Sequence, residues 1–148
     1  MKTVYKMLVI CMFTMTTWAA RAQILKSERP YTFKNVADKV DAPVDELARA
    51  FTAREGSAIE LKMHKFQFKG VVTSSIKRYD NLYSVVIKSS DSPNTVFALS
   101  KRINDDKTIS YVGRIINQRS ADGFELTQAA DGRYMLNKIK TEDLLQDY

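Results

Sequence analysis

The residues able to carry out chemistry are few in this chain of 148 residues, which contains one histidine and one cysteine. His64 falls in the predicted turn Lys62–Lys65, where no acidic partner or pocket can be assigned, and we interpret it as an exposed turn histidine. Cys11 falls within a predicted export signal, so the folded protein has no thiol and a single imidazole, too few of the ligands that zinc prefers. The sequence therefore predicts no metal site and no cofactor.

Acidic residues are the next candidates, because a glycosidase needs only two carboxylates. Glu60 and Glu125 lie on predicted strands beside apolar neighbours at a spacing of two, which places both on outward, solvated faces. Asp105-Asp106 lacks the spaced acids and distal glutamate of a calcium-binding loop and is typical of a turn. The sequence also has no nucleophile elbow, phosphate-binding glycine loop or dinucleotide fingerprint. We therefore predict no catalytic residues and a protein that is not an enzyme.

Residues 1–22 have the pattern of a cleaved signal peptide. Lys2 and Lys6 precede an apolar stretch, and Ala20-Arg21-Ala22 places small residues at the two positions that a signal peptidase reads. The apolar stretch is shorter than the ~20 residues that a membrane-spanning helix needs. We expect a periplasmic or secreted protein that begins at Gln23 and has no stable membrane span after cleavage.

Basic residues form one candidate binding surface on or near a predicted hairpin: Lys101, Arg102, Tyr111, Arg114 and Arg119. Small barrels bind nucleic acid through such basic and aromatic faces. Loss of the signal peptide removes three of the 23 basic residues, however, and leaves 20 against 17 acidic residues. Because that excess is small and an exported protein seldom meets nucleic acid, we predict no nucleic-acid partner. An envelope or secreted protein or a glycan with an anionic surface fits better, and a merely solvated strand face is the alternative.

A single amphipathic helix is predicted over residues 43–54, after an extended lead-in over residues 23–42. Asp41 or Ala42 can cap this helix, and Pro43 fits its first turn. Gly56 closes the helix, and its apolar residues recur at i, i+3, i+4 and i+7 as one stripe: Val44, Leu47, Ala48 and Phe51.

After Ser57 the apolar residues alternate with polar ones, as is typical of strands. About seven strands are separated by turn-forming clusters, which are residues 78–81, 90–94, 104–107 and the dipeptide Asp131-Gly132. The predicted fold class is mainly β, a small antiparallel meander that forms a barrel or a strongly bent sheet. A short helix after Thr141 is predicted to end the chain, and residues 43–148 form a single helix-capped domain.

The hairpin around residues 104–107 decides which side chains share a face of this sheet. Closing these residues as a four-residue loop pairs Leu99 with Val112. In that register Val112 lies on the same face as Phe97, whereas Ile115 lies on the opposite face. Both faces are then partly apolar, so the hairpin is predicted to be covered on both sides, with the helix as the second cover.

Several hydrophobic strand segments between about residue 51 and residue 148 are distinctive: Phe68-Lys69-Gly70-Val71-Val72, Phe97-Ala98-Leu99-Ser100, Tyr111-Val112-Gly113-Arg114-Ile115-Ile116, and Tyr134-Met135-Leu136 followed by Asp143-Leu144-Leu145. Together with an export signal that ends in Ala-Arg-Ala-Gln, they resemble uncharacterised small exported β-rich proteins of the Bacteroidota. No function is assigned to that group. The resemblance therefore implies no activity, ligand or site residue.

The function predicted from these features is that of an exported, non-catalytic binding or interaction domain of unknown ligand. The alternative is an inhibitor or pro-segment-like partner of an exported hydrolase, which needs only a shaped edge or loop. The loops Ser90–Asn94 and Asn104–Lys107 could supply such an edge. The sequence does not separate the two functions, because both require only a complementary surface.

Overall fold

The computed structural model describes residues 29–145, which form one antiparallel sheet of eight strands and one short helix. The sheet order is β1-β8-β7-β6-β5-β4-β3-β2, so each strand after β1 lies beside its neighbour in sequence. The sheet curls into a half-barrel whose two edges, β1 and β2, are not paired with each other. The elements are β1 (Lys39–Asp41), α1 (Val44–Ala50), β2 (Ala58–Met63), β3 (Phe66–Tyr79), β4 (Leu82–Ser89), β5 (Thr95–Ile103), β6 (Ile109–Asn117), β7 (Asp122–Gln128) and β8 (Tyr134–Lys140).

The mainly β fold is confirmed, but the predicted count of seven strands is wrong. The additional strand, β1, comes from the lead-in and pairs with β8 through Val40 and Leu136. Three residues are too few for an alternating pattern to be visible in sequence, so only the pairing with β8 identifies this strand. The predicted signal peptide and the start of the lead-in lie outside the described residues.

Strand β3 runs through Gly70 without a break. A Cβ atom at this position would clash with the backbone carbonyl oxygen of Lys88 on β4. Glycine is therefore needed here because two backbones approach closely, and it does not end the strand. The result is a strand of 14 residues, the longest in the sheet.

The hydrophobic core lies on one face of the sheet, called the core face below, and α1 packs against this same face. Leu47 and Ala50 of the helix are fully buried there. Aromatic pairs fill the core, with ring centroids 5.6 Å apart for Phe68 and Phe97 and 5.3 Å apart for Phe33 and Phe124. The helix therefore covers the core face of the sheet. It does not cover the opposite face, as the predicted second cover would.

Helix α1 is shorter than predicted and ends at Ala50. Pro43 occupies the N-cap position without a side-chain capping bond. At the other end, the N–H of Phe51 donates to the Ala48 oxygen, an i to i−3 bond that tightens the last turn. The predicted stripe is buried in part, because Leu47 lies in the core whereas Val44 is 47% exposed.

The β5–β6 hairpin has a five-residue loop, so the predicted register is wrong by one residue. Leu99 pairs with Gly113, and the carbonyl oxygen of Thr108 accepts the N–H of Asn104 at 2.9 Å. Lys107 adopts a left-handed conformation with φ +68°, which allows the longer turn. Since side chains alternate across a strand, this slip of one residue places Ile115 on the core face and Val112 on the opposite face.

The lead-in crosses one end of the half-barrel and is held there by a buried carboxylate. Asp122 is 1% exposed and accepts hydrogen bonds from the N–H groups of Thr32 (2.8 Å) and Phe33 (3.0 Å). It also accepts the hydroxyl of Ser120 at 2.5 Å, and that hydroxyl is within 3.1 Å of the Pro30 oxygen. The Phe33 ring packs against both Phe66 and Phe124, so this part of the lead-in belongs to the folded domain.

The predicted short C-terminal helix is not formed as an α-helix in the described residues. Asp143–Leu145 makes one turn of 3₁₀-helix instead. Starting an α-helix fixes several residues for a single hydrogen bond, so such a short segment gains little from it. Thr141, which was expected to cap that helix, donates its hydroxyl to the Ser120 oxygen at 2.7 Å.

Two side chains of α1 form hydrogen bonds with backbone groups on the free edge of β2. The Glu46 carboxylate accepts the N–H of Lys62 at 2.8 Å, and the Arg49 guanidinium donates to the carbonyl oxygen of Glu60. Glu46 and Arg49 also form an ion pair at 2.6 Å. An unpaired strand edge is a template for unwanted pairing, so these contacts protect part of this edge.

Replacement of Glu46 by glutamine is expected to reduce stability near neutral pH and to have little effect in acid. Partial burial opposes ionisation, but the Lys62 N–H and Arg49 outweigh it and lower the pKa of the Glu46 carboxyl. A carboxyl whose pKa is lowered by folding adds stability above its ordinary pKa, and this stability is lost as the pH falls through the folded value. We expect Glu46→Gln to cost about 0.5 to 1 kcal/mol at pH 7. Urea unfolding at pH 7 and near pH 3 measures the difference.

Glu55→Gln is the matched control, because Glu55 is exposed and makes no ion pair within residues 29–145. It should leave the free energy of unfolding unchanged at both pH values. A loss for Glu46→Gln that is equal at pH 7 and near pH 3 would contradict an electrostatic role for the carboxylate.

Candidate functional site

The five residues of the predicted basic surface do not share one face of the sheet. Strand β5 carries Lys101 on the core face and Arg102 on the opposite face, called the outer face below. Strand β6 likewise carries Tyr111 on the core face and Arg114 on the outer face. Arg119 follows β6 in a loop. The structure therefore divides the four strand residues into two pairs, with Lys101 and Tyr111 on the core face and Arg102 and Arg114 on the outer face.

The side chains of Lys101 and Tyr111 both contact aromatic rings. The Lys101 ammonium lies 5.2 Å from the ring centroid of Phe51 and 4.7 Å from that of Tyr83, a cation–π arrangement. The Tyr111 ring is buried against Phe51 and Tyr134, with centroid distances of 6.0 Å and 5.6 Å. Burial and the neighbouring Tyr134 raise the pKa of the Tyr111 hydroxyl. Neither residue presents its polar group to a partner on the outer face.

The outer face contains a shallow apolar depression of about 760 Å³. The apolar side chains that line it come from the central strands β4, β5 and β6, and Val112 is the most exposed of them at 62%. Helix α1 lies on the other side of the sheet, and no other helix or strand among residues 29–145 covers this surface. We call this surface the outer-face depression; its apolar floor consists of Val86, Val96, Ala98, Val112 and Ile116.

Basic side chains surround the outer-face depression. Arg78 and Arg114 line it directly, whereas Lys88 and Arg102 lie on the same face and pair with Val96 and Ser110 of neighbouring strands. The Arg114 charge is neutralised by Glu125, whose carboxylate lies 2.8 Å from the guanidinium. Arg78, Lys88 and Arg102 have no ion pair within the described part of the chain. The rim of the depression is therefore positively charged.

The sequence predicted a second apolar face on the β5–β6 hairpin, but it wrongly placed Val112 on the face of Phe97 instead of on this floor. The alternation in β5 placed Val96 and Ala98 together on an apolar face, and this face was expected to be covered. Arg78 and Lys88 were missed as members of the site, because the predicted surface was limited to the β5–β6 hairpin and its vicinity, whereas these residues lie on β3 and β4. The sequence showed that apolar residues also occur on the second face of a strand. This pattern does not reveal whether that face is covered in the folded protein.

The other candidate groups do not form a reactive arrangement in the described residues. His64 lies in the exposed β2–β3 turn, as predicted, with φ +37°. Glu60 and Glu125 lie on β2 and β7, which are separated by four strands of the sheet. Among residues 29–145 there is no group of three or more acidic, histidine or cysteine side chains that could hold a metal ion. The helix of this region is not long and apolar enough to cross a membrane.

Comparisons of the chain with protein-family models, with curated proteins and with solved structures found no match. The resemblance to exported Bacteroidota proteins stays a prediction from the sequence.

Proposed function

We propose that this protein is an exported, non-catalytic binding domain of the periplasm or cell envelope that takes an anionic partner on its outer face. The observation that carries the proposal is the outer-face depression with its positively charged rim. Contiguous exposed apolar surface rimmed by polar residues is typical of interaction sites. The export signal predicted from residues 1–22 supports the location.

The arrangement of charge on the outer face favours one kind of partner. Apolar contacts with the floor at Val96, Ala98 and Val112 would supply affinity, since buried apolar area is the main favourable term in association. Arg78 and Arg102 lie at the rim, where charges mainly guide association and select the sign of the partner. A partner that carries acidic groups around an apolar centre is complementary to both features.

The alternative role as an inhibitor of an exported hydrolase has less geometric support. Its two candidate loops, Ser90–Asn94 and Asn104–Lys107, lie at opposite ends of β5. That strand has nine residues, which span roughly 30 Å at the usual rise of an extended chain. The two loops are therefore too far apart to form one inhibitory edge. The outer face is better supported than these loops as the binding surface.

The double variant Arg78→Ser/Arg102→Ser is expected to lose the partner that the unchanged protein captures from envelope extract. Both guanidinium groups lie at the rim, are exposed and have no ion pair within residues 29–145. Their removal should leave the fold intact and weaken capture at least tenfold, with the largest difference at low salt. Quantitative pull-down at low and high salt, with circular dichroism on each variant, measures this effect.

Arg54→Ser/Lys65→Ser is the charge-matched control, because both residues are exposed in turns away from the outer-face depression. This control should retain the partner. Equal capture by the two double variants would make the basic rim a solvated face only. Capture of an exported hydrolase that loses activity on binding would favour the inhibitor.

A further inference from the structure

Strand β3 leaves half of its length unpaired on one side. Strand β2 pairs with β3 only from Met63↔Phe66 to Ala58↔Val71. Two bonds extend this contact, from Gly56 N–H to the Val72 oxygen (2.7 Å) and from Val72 N–H to the Ser57 oxygen (3.0 Å). Beyond them, residues 73–79 pair with β4 alone. No described element forms a backbone hydrogen bond with the other side of this segment.

This open edge differs from the other edges of the sheet. On β2 the Glu46 carboxylate and the Arg49 guanidinium occupy backbone groups, as described above, and β1 is only three residues long. No comparable contact from residues 29–145 protects residues 73–79, where Ile76 is 45% exposed and Tyr79 is 70% exposed. A long exposed edge with apolar side chains invites the addition of another strand.

The regular part of the open edge is short and lies beside the outer-face depression. Register irregularities occur between Val72 and Ser74 and between Lys77 and Tyr79. Between them, four residues keep regular pairing with β4, from Ser74↔Val86 to Lys77↔Tyr83. Ile76 pairs with Ser84, which lines the depression, and Arg78 lines it directly. Every second side chain of an added strand would therefore lie at the margin of the depression.

We propose that the open edge of β3 accepts an extended acidic segment of a partner polypeptide as a ninth strand. The segment carries an apolar residue beside Ile76 and, two positions away on the same face, an acidic residue that pairs with Arg78. Lys77 is already engaged by Asp80 at 2.9 Å, so Arg78 is the cation of this edge that has no ion pair among residues 29–145. The inference rests on the proposed function and names the partner class for the same surface.

Repulsion between like charges disfavours a second copy of this chain as the occupant of the open edge of β3. Pairing of two identical edges would bring Lys77 and Arg78 of both copies into one short interface, with one acid, Asp80, from each. An acidic segment relieves this excess of positive charge, whereas a second copy doubles it.

The test uses a display library of random decapeptides, selected on the purified protein. Enriched peptides should lack proline and should place an apolar and an acidic residue two positions apart. Arg78→Glu should change the preference from acidic to basic peptides, whereas Arg54→Glu, a matched change in an exposed turn, should not. Absence of enrichment, or the same preference in Arg78→Glu, would overturn the proposal.

Methylation of backbone nitrogens in an enriched peptide distinguishes strand addition from binding to the face alone. In an added strand, only every second N–H donates to the neighbouring strand, so the peptide nitrogens form two alternating sets, or phases. Methylation of the phase that pairs should weaken binding about tenfold, whereas methylation of the other phase should have little effect. Amide exchange of the protein should slow within residues 73–79 when the peptide binds. Equal effects of the two phases, without slower exchange at this edge, would overturn strand addition.

The outcomes separate this inference from the proposed function. Loss of the envelope partner in Arg78→Ser/Arg102→Ser, together with equal effects of the two methylation phases, would retain the outer-face site and reject the added strand. Retention of the partner by that variant would reject the outer-face site itself. Concentration-dependent dimers that disappear in Ile76→Lys would identify a second copy as the occupant and would overturn the acidic segment.

Discussion

Ile115→Ala is expected to lower the free energy of unfolding by about 3 to 4 kcal/mol, whereas Val112→Ala should lower it by less than about 1 kcal/mol. Ile115 is fully buried on the core face, and its truncation leaves a cavity among packed side chains. Val112 is 62% exposed on the outer face of the same strand. Urea unfolding of the two variants measures both values under the same conditions.

The pair of variants tests the register of the β5–β6 hairpin directly. The four-residue loop expected from the sequence would put Val112 on the face of Phe97 and Ile115 on the other face. With that register and the core on the face of Phe97, as observed, the order of the two losses would reverse. A larger loss for Val112→Ala than for Ile115→Ala would therefore contradict the pairing of Leu99 with Gly113.

Asp122→Ala is expected to cost about 3 kcal/mol, because it removes a buried carboxylate that accepts three hydrogen bonds. The Phe33 N–H has Asp122 as its hydrogen-bond partner, and the Thr32 N–H and the Ser120 hydroxyl also donate to this carboxylate. Their loss should free the lead-in from the end of the half-barrel. Chemical unfolding measures the change in stability, and faster amide exchange at Phe33 reports the release of this segment.

Two further variants show whether the carboxylate itself carries this effect. Asp122→Asn keeps one acceptor oxygen and a similar shape, so about half of the loss is expected. Asp91→Ala changes an exposed aspartate in the β4–β5 loop and should cost less than about 0.5 kcal/mol. A loss below about 1 kcal/mol for Asp122→Ala would mean that packing of Phe33, rather than the carboxylate, holds the lead-in.

The turns were predictable because their chemistry is local. Asp131-Gly132 predicted the β7–β8 hairpin, and Gly132 has φ +85°, a conformation that glycine adopts without strain. The loop at residues 90–94 likewise separates β4 from β5. The start of the helix near Pro43 also depends on neighbouring residues only. Such features need no information from distant parts of the chain.

The elements that were missed depend on partners far away in sequence. Strand β1 exists through its pairing with β8, about a hundred positions later, since Val40 lies opposite Leu136. Asp122 resembles a surface acid in sequence and becomes a buried anchor only when the lead-in crosses the sheet. Gly70 is required by the backbone of β4 rather than by a local turn.

The candidate site shows which features the sequence by itself does not determine. Alternation along β5 and β6 determined that each strand has two partly apolar faces, because side chains of a strand point to opposite sides with a period of two. Only the tertiary structure decided which face of β6 is buried, since the left-handed Lys107 lengthens the loop by one residue and a slip of one residue exchanges the faces. The same pairing decided that Arg102 lies on the outer face with Arg114, whereas Lys101 lies on the core face. Sharing a face of a sheet is a relation between strands, and the order of residues within one strand does not contain it.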